Sequence, residues 1–249
     1  MKAPILSGAA AAQFASDGFA VVPGLYTATE VAALLRTVET APASGPNFRR
    51  SQEVFAIRDL LGEVPALWPQ LATHNLRALL GQLFPDGCHL VKAIYFDKPA
   101  GSNWLVTWHQ DLMINVAQRT EAPGFGPWTS KAEGVSVQPP AAVLENVCTV
   151  RIHLDDCGAT NGALKVVPGS HRRGVVLPPD VAALTPAACT CAVPAGGAML
   201  MKPLLLHASN RSHGTRPRRV VHLEFASVEL PAGLGWRERH AELLTAMAE

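Results

Sequence analysis

Three residues of this 249-residue chain could hold a metal ion together. Trp108-His109-Gln110-Asp111 sets an imidazole and a carboxylate two positions apart, and on a β-strand that spacing sends both side chains to one face. A lone histidine, His207, follows far downstream in the segment Leu206 to Ser209. Two histidines and one carboxylate are the ligand set that holds non-haem Fe(II) while leaving positions open for cosubstrate, oxygen or water. An H-x-D triplet is short and the chain carries nine histidines, so the triplet alone also matches chance or a core histidine bonded to a backbone carbonyl.

Arg218, eleven residues after His207, sits in the basic run from Arg211 to Arg219. A planar guanidinium suits two-point capture of a carboxylate better than an ammonium does. A dicarboxylate cosubstrate that chelates iron at one end needs such an anchor at the other. The bland alternative is a solvated basic turn.

Bulk composition narrows the class. Hydrophobic residues make up 48% and charged residues 16%, enough apolar material for a sizeable core and against disorder. One domain spanning residues 1–249 is expected. The formal net charge of +1 argues against a broad nucleic-acid-binding surface. Five cysteines, Cys88, Cys148, Cys157, Cys189 and Cys191, make neither C-x-x-C nor zinc-like spacing and read as reduced thiols. The N-terminus lacks signal-peptide features and no apolar stretch is long enough to span a membrane, so a cytoplasmic location without membrane association is expected.

The ligands need a frame. Thr27 or Thr29 can cap a helix through Glu30, Val31, Leu34, Leu35 and Val38, and a second helical stretch is expected around Pro65 to Leu83. The β-branched run Gly18 to Pro23, stopped by its proline, reads as a short strand. From His89 the pattern changes to short strands: His89 to Phe96, Trp104 to Gln110, Cys148 to Leu154, Ala163 to Val167, Gly197 to Met201 and Val220 to Phe225. Leu204 to Leu206 resembles a buried strand ending at His207, and Asn161-Gly162 is a hairpin signal. Many short strands between Gly, Pro, Asn and Asp indicate a sandwich or barrel core. Leu112 to Val147 has little periodicity and is expected to be a binding loop over the metal. Arg151 and His153 alternate on their strand, though alternation does not say which face points inward.

These residues, in this order, resemble the phytanoyl-CoA dioxygenase family of Fe(II)/2-oxoglutarate oxygenases. The likeness rests on His109-x-Asp111, His207 and Arg218, on Phe14 to Val22, on Leu154 to Asp156 with Asn161 to Leu164, on Val167 to His171, and on Ser209 and Ser212. Asp97 to Pro99, Asn103-Trp104 and Trp108 to Asp111 are similar to a bacterial subgroup of unassigned substrate. The resemblance implies a mainly β fold with flanking helices, a double-stranded β-helix (cupin-like jelly roll) from about 89 to 227 with the helical N-terminal third packed on it. It implies His109, Asp111 and His207 as iron ligands and Arg218 as partner of the far carboxylate of 2-oxoglutarate. Ser209 would add a hydroxyl, Gln110 and Trp128 would line the cosubstrate pocket, and Arg58 would be a further basic contact. His171 is expected to be structural.

The implied reaction consumes 2-oxoglutarate and O2, releases succinate and CO2, and hydroxylates a small-molecule substrate. In related halogenases a small residue replaces the carboxylate ligand to admit halide, so Asp111 favours hydroxylation. A cupin-like metal enzyme without 2-oxoglutarate would need the triad but not Arg218, and a non-catalytic binding module is the third reading. No cluster dedicated to CoA phosphates is evident, so an acyl-CoA substrate is not carried over. The oligomeric state is not legible.

Overall fold

The computed structural model describes residues 5–41, 44–50, 55–99, 105–132, 134–213 and 215–240. Its first part runs α1 (Gly8–Asp17), β1 (Phe19–Val22), α2 (Ala28–Glu39), β2 (Phe48–Arg50), β3 (Phe55–Arg58), α3 (Leu60–Glu63), α4 (Trp68–Leu71) and α5 (His74–Leu83). There follow β4 (His89–Lys98), β5 (Val106–His109), β6 (Ile114–Val116), β7 (Trp128–Lys131), β8 (Gly134–Val137), α6 (Ala141–Glu145) and β9 (Val147–His153). The chain then continues through β10 (Leu164–Val166), α7 (Pro178–Leu184), β11 (Cys189–Cys191), β12 (Ala198–Met201), β13 (His207–Ser209) and β14 (Arg218–Ala226).

Local chemistry accounts for the helix ends. Thr27 caps α2 in a capping box: its hydroxyl accepts from the Glu30 N–H while Glu30 reaches back to the Thr27 N–H, so two otherwise orphaned donors are paired. At α1 and α5 the cap is single-sided: the Ser7 hydroxyl accepts from the Ala10 N–H and the Thr73 hydroxyl from the Leu76 N–H. At the end of α1, Gly18 adopts φ 82°, and a side chain there would collide with the His171 imidazole. His171 therefore packs on the glycine turn that closes α1, a structural placement as expected.

All sheets are antiparallel. A seven-stranded sheet has the order β1-β12-β9-β14-β4-β3-β2, a four-stranded sheet β11-β10-β13-β5, and a three-stranded sheet β6-β8-β7. The outer face of the large sheet, with Val150, Ile152, Leu200, Val221, Leu223 and Phe225, packs on the helices in the largest apolar cluster. A second cluster joins the large and four-stranded sheets through Phe19, Met199 and Met201 on one side and Leu164, Val166, Cys191 and Val193 on the other. Each such fully buried aliphatic side chain contributes roughly 1.5–3 kcal/mol relative to exposure.

Four expectations need correction. The segment from Leu112 to Val147 is not an irregular loop: it contains β6, β7, β8 and α6. Its periodicity is hard to read because these strands are only three or four residues long. Leu204 to Leu206 form a turn and not a strand, so His207 opens β13 instead of ending a buried run. Asn161-Gly162 ends a 3-10 turn instead of a hairpin, and the flanking β9 and β10 belong to different sheets. The N-terminal third, expected to be mostly helix, supplies β2 and β3 to the large sheet beside the expected strand β1. Asn103 and Trp104 lie outside the described residues, as does the start of the strand expected from Trp104. All five cysteines are free, with Cys189 exposed. No helix among the described residues is long and apolar enough to cross a membrane.

Candidate metal and cosubstrate site

Strands β5 and β13 pair with His109 directly opposite His207. Cross-strand neighbours share a face, and the two imidazole rings lie 4.2 Å apart, centroid to centroid. Asp111 lies just beyond the end of β5 instead of on it, and its N–H donates to the Pro203 carbonyl at 2.9 Å. That bond turns the chain so that the carboxylate still reaches the histidines. Its two oxygens lie 3.8 Å from Nε2 of His109 and 3.8 Å from Nε2 of His207. One ligand atom from each of the three residues lies within 4.8 Å of the others.

Both rings are aimed by the backbone. Nδ1 of His109 lies 2.8 Å from the Thr107 carbonyl and Nδ1 of His207 lies 2.9 Å from the Leu205 carbonyl. A carbonyl can only accept, so each Nδ1 carries the proton and each Nε2 turns a lone pair toward Asp111. Burial pushes the His207 pKa down to about 4, against the pull of Asp111. Burial would raise Asp111, but His207, His222, His109 and Lys92 outweigh it and hold the carboxyl at about 2. Near neutral pH the site offers a neutral imidazole at His207 and an ionised carboxylate, the forms a metal requires.

The inner face of the large sheet continues from the triad. Lys92 on β4 donates to Glu224 on β14 at 2.8 Å and to the Met113 carbonyl at 3.0 Å. Glu224 takes a second bond from Nε2 of His222 at 3.0 Å, and Nδ1 of His222 lies 2.9 Å from Nη1 of Arg151. Guanidinium only donates, so Nδ1 of His222 accepts and its Nε2 carries the proton. Burial opposes the charge on both Lys92 and Glu224, yet their pairing keeps the lysine above and the glutamate below its ordinary range. Burial and the nearby Arg218 together lower Arg151 to about 10.

Arg218 opens β14 opposite Lys98, buried, with its guanidinium against the Gly162 carbonyl. Among the described residues neither Arg151 nor Arg218 pairs with a carboxylate. Several buried polar atoms on these strands have no protein partner: Nε of both arginines, both ring nitrogens of His153, and the hydroxyls of Ser209 and Thr149. An orphaned buried donor costs about 1–3 kcal/mol, which a polar ligand would recover. Burial and the two arginines keep His153 neutral, with its pKa well below the ordinary value.

The remaining expected residues fall in different places. Ser209 is buried on β13, two residues from His207. The Gln110 amide is spent on backbone: it donates to the carbonyls of Leu204 and Gly174 and accepts from the Val176 N–H. Trp128 packs with Val137, Leu144 and Trp236, and Arg119 sits 5.5 Å over its ring. Arg58 stands on β3 opposite Ile94, offset by four residues (roughly 13 Å along β4) from Lys98, the partner of Arg218, and on the other side of β4 from it. Sequence reasoning did not single out Lys92, His222 or Glu224. The readable signal was polar residues alternating with Val221, Leu223 and Phe225 along β14.

Solved structures of similar fold come from bacterial enzymes. EctD from S. alaskensis, in its apoform, superposes with TM-score 0.71 at 22% identity over 96% of this chain and 87% of that one. HygX from Streptomyces hygroscopicus, with nickel, 2-oxoglutarate and hygromycin B bound, gives TM-score 0.67 at 16% identity over 94% and 98%. EvdO2 from Micromonospora carbonacea var. aurantiaca, complexed with 2-oxoglutarate, gives 0.63 at 21% identity over 89% and 91%. No curated protein matches by sequence. The family model for phytanoyl-CoA dioxygenase matches residues 14–220, from the start of the N-terminal motif through His109, Asp111, His207 and Arg218. The chain therefore belongs to the phytanoyl-CoA dioxygenase family, whose oxygenases depend on Fe(II), 2-oxoglutarate and O2.

Proposed function

We propose that the chain is a hydroxylase in which His109, Asp111 and His207 hold Fe(II) and Arg218 anchors 2-oxoglutarate. The observation that carries this reading is a metal-ready triad facing two buried guanidiniums that pair with no carboxylate among the described residues. Two imidazole nitrogens and one carboxylate suit Fe(II) with open positions. We read the two larger sheets as the halves of a double-stranded β-helix, in one domain, with the triad between them.

In the balanced reaction a substrate C–H, O2 and 2-oxoglutarate yield an alcohol, succinate and CO2. Bound Fe(II), with 2-oxoglutarate and O2, supplies the oxidising power. The protein's residues do the rest. Thr107 and Leu205 fix the histidine tautomers through their carbonyls. Arg218 and Ser209 take the far carboxylate of the cosubstrate, and Arg151 and His153 flank it with their orphaned nitrogens. The apolar cluster between the two sheets keeps water from the buried end. Gln110 acts through the backbone, binding the Gly174–Val176 segment and the Leu204 turn to the ligand strand.

Anaerobic titration of the metal-free protein with Fe(II) and then 2-oxoglutarate tests this reading. One equivalent of each should bind, with the metal-to-ligand absorption of a chelated 2-oxo acid. Binding of iron without the 2-oxo acid would favour the cupin-like alternative; binding of neither would favour a non-catalytic module.

A further inference from the structure

A cavity of about 340 Å³ opens beside Asp111, at the low end of the range for small-ligand sites. One wall is the inner face of the large sheet, which contributes Arg58, Lys92, Ile94, Phe96 and Glu224. The other wall is the three-stranded sheet. Alternation splits that sheet: Ile114, Val116, Val137 and Trp128 point into an apolar cluster, while Asn115, Ser136, Thr129 and Lys131 face the cavity.

Strand register makes the polar side a row. Asn115 on β6 stands directly opposite Ser136 on β8, and Ser136 stands directly opposite Thr129 on β7. Opposed residues of paired strands lie roughly 5 Å apart, so an amide and two hydroxyls line up over about 10 Å. The Ser136 hydroxyl donates to the Asn115 side-chain oxygen at 3.0 Å, and the Asn115 amide nitrogen lies 3.5 Å from Glu238. Each member keeps hydrogen-bonding capacity. Ser136 has acceptor lone pairs, Asn115 has a second amide hydrogen, and the Thr129 hydroxyl can both donate and accept. A recess holding Glu238 and the Asp59–Arg237 pair, 3.5 Å apart, extends this wall beyond Arg58 and Lys131.

The facing wall differs in kind. Ile94 and Phe96 offer carbon surface there, and the charges of Lys92 and Glu224 are bonded to each other at 2.8 Å. An alkyl chain in the cavity would strand the row without water, at a cost in every unmade bond. A carbon skeleton with polar groups along one edge satisfies both walls at once.

We propose that the row Asn115–Ser136–Thr129 recognises the substrate, and that the substrate is a small molecule bearing hydroxyl or amide groups on one edge of its carbon skeleton. Those groups bond to the row, the skeleton lies on Ile94 and Phe96, and one C–H is turned to His109, Asp111 and His207. Resting on the oxygenase reading above, this assignment draws on neutral groups and requires no net charge on the substrate.

The test uses the full chain loaded with Fe(II) and 2-oxoglutarate. A small-molecule extract of the encoding organism is partitioned between water and octanol, and each layer is assayed for stimulated succinate release. The aqueous layer should stimulate. Thr129→Val and Ser136→Ala should each raise the amount needed by about tenfold, because each leaves a substrate polar group unpaired. Thr129→Ser, which restores the hydroxyl, should recover most of the response, and Ser130→Ala, on the opposite face of β7, should leave it unchanged. Adding the stimulating layer anaerobically should perturb the metal-to-ligand absorption of the wild type, with the same loss of sensitivity in Thr129→Val. Anaerobic 2-oxoglutarate affinity should stay at the wild-type value in the row variants. Equal or stronger stimulation by the octanol layer, stimulation by neither layer, or a wild-type response in both Thr129→Val and Ser136→Ala overturns the proposal. So does a loss of 2-oxoglutarate affinity in those variants, which would give the row to the cosubstrate. Failure of the wild type to bind Fe(II) and 2-oxoglutarate would instead refute the oxygenase reading.

Discussion

Strands β9, β14 and β4 present apolar residues on one face of the large sheet and charged residues on the other. On the outer face Val150, Ile152, Val221, Leu223 and Phe225 pack against helices and carry no polar atom to satisfy. On the inner face the same strands turn Arg151, His153, Arg218, His222, Glu224 and Lys92 inward, nearly as deeply buried. Both faces are shielded from water, but only one is matched to itself. The outer face recovers its burial through apolar contact, whereas the inner one keeps orphaned donors and guanidiniums that pair with no carboxylate among the described residues. Stability and function are therefore divided between alternate residues of the same strands.

Substitutions on the two faces should have opposite signatures, and the inner face should show the largest effect. Asp111→Ala should abolish substrate-coupled turnover while leaving thermal unfolding near the wild-type value. Product formation at wild-type rate would remove Asp111 from the ligand set. Arg218→Ala should weaken 2-oxoglutarate by about 30-fold or more, read by anaerobic titration, since a buried charge partner is worth roughly 2–5 kcal/mol. Unchanged affinity would favour an enzyme without this cosubstrate.

The outer face should answer in stability. Leu223→Ala removes a fully buried side chain and should cost about 2–5 kcal/mol in denaturant unfolding, with Fe(II) affinity retained. A variant that unfolds normally and fails to bind iron would break the division of labour.

Glu238 sharpens the comparison, because it is an acid at the inner rim whose burial pushes its pKa up to about 7. A raised acid stabilises the fold below its unfolded value of 4.5, and that contribution is lost as pH rises through about 7. Glu238→Gln should therefore match wild type near pH 5 and exceed it near pH 8, by about 1–2 kcal/mol after solvent screening. Equal melting profiles at both pH values would deny the shift. Smallest of all, Thr27→Ala should cost about 1 kcal/mol through loss of the capping box on α2, with no effect on cosubstrate affinity.

Much of this was legible beforehand because it is local. The capping box at Thr27 to Glu30, the strand at Phe19 to Val22 and the β9 alternation are short-range patterns that a single stretch of chain displays. The triad was legible as residue types, His207 included as a lone downstream histidine, and the family likeness joined the three into one ligand set. What escaped was non-local. Leu204 to Leu206 has strand composition but forms a turn, and the Gln110 amide bonds the Leu204 carbonyl there. The small sheet was hidden because its strands are too short for periodicity to register. His222 and Glu224 were visible as polar residues in an apolar strand, yet nothing in sequence says that Lys92 and Arg151 stand beside them.

The sequence by itself determined the ligand types, the family and the helix caps, since these depend on residue identity and spacing over a few positions. Only the tertiary structure decided which face of each strand is inward and that His109 lies opposite His207. It also decided that Arg58 and Lys131, from elements far apart in the chain, border one cavity. Strand alternation has two equivalent faces, and the choice between them is made by the helices that cover one of them.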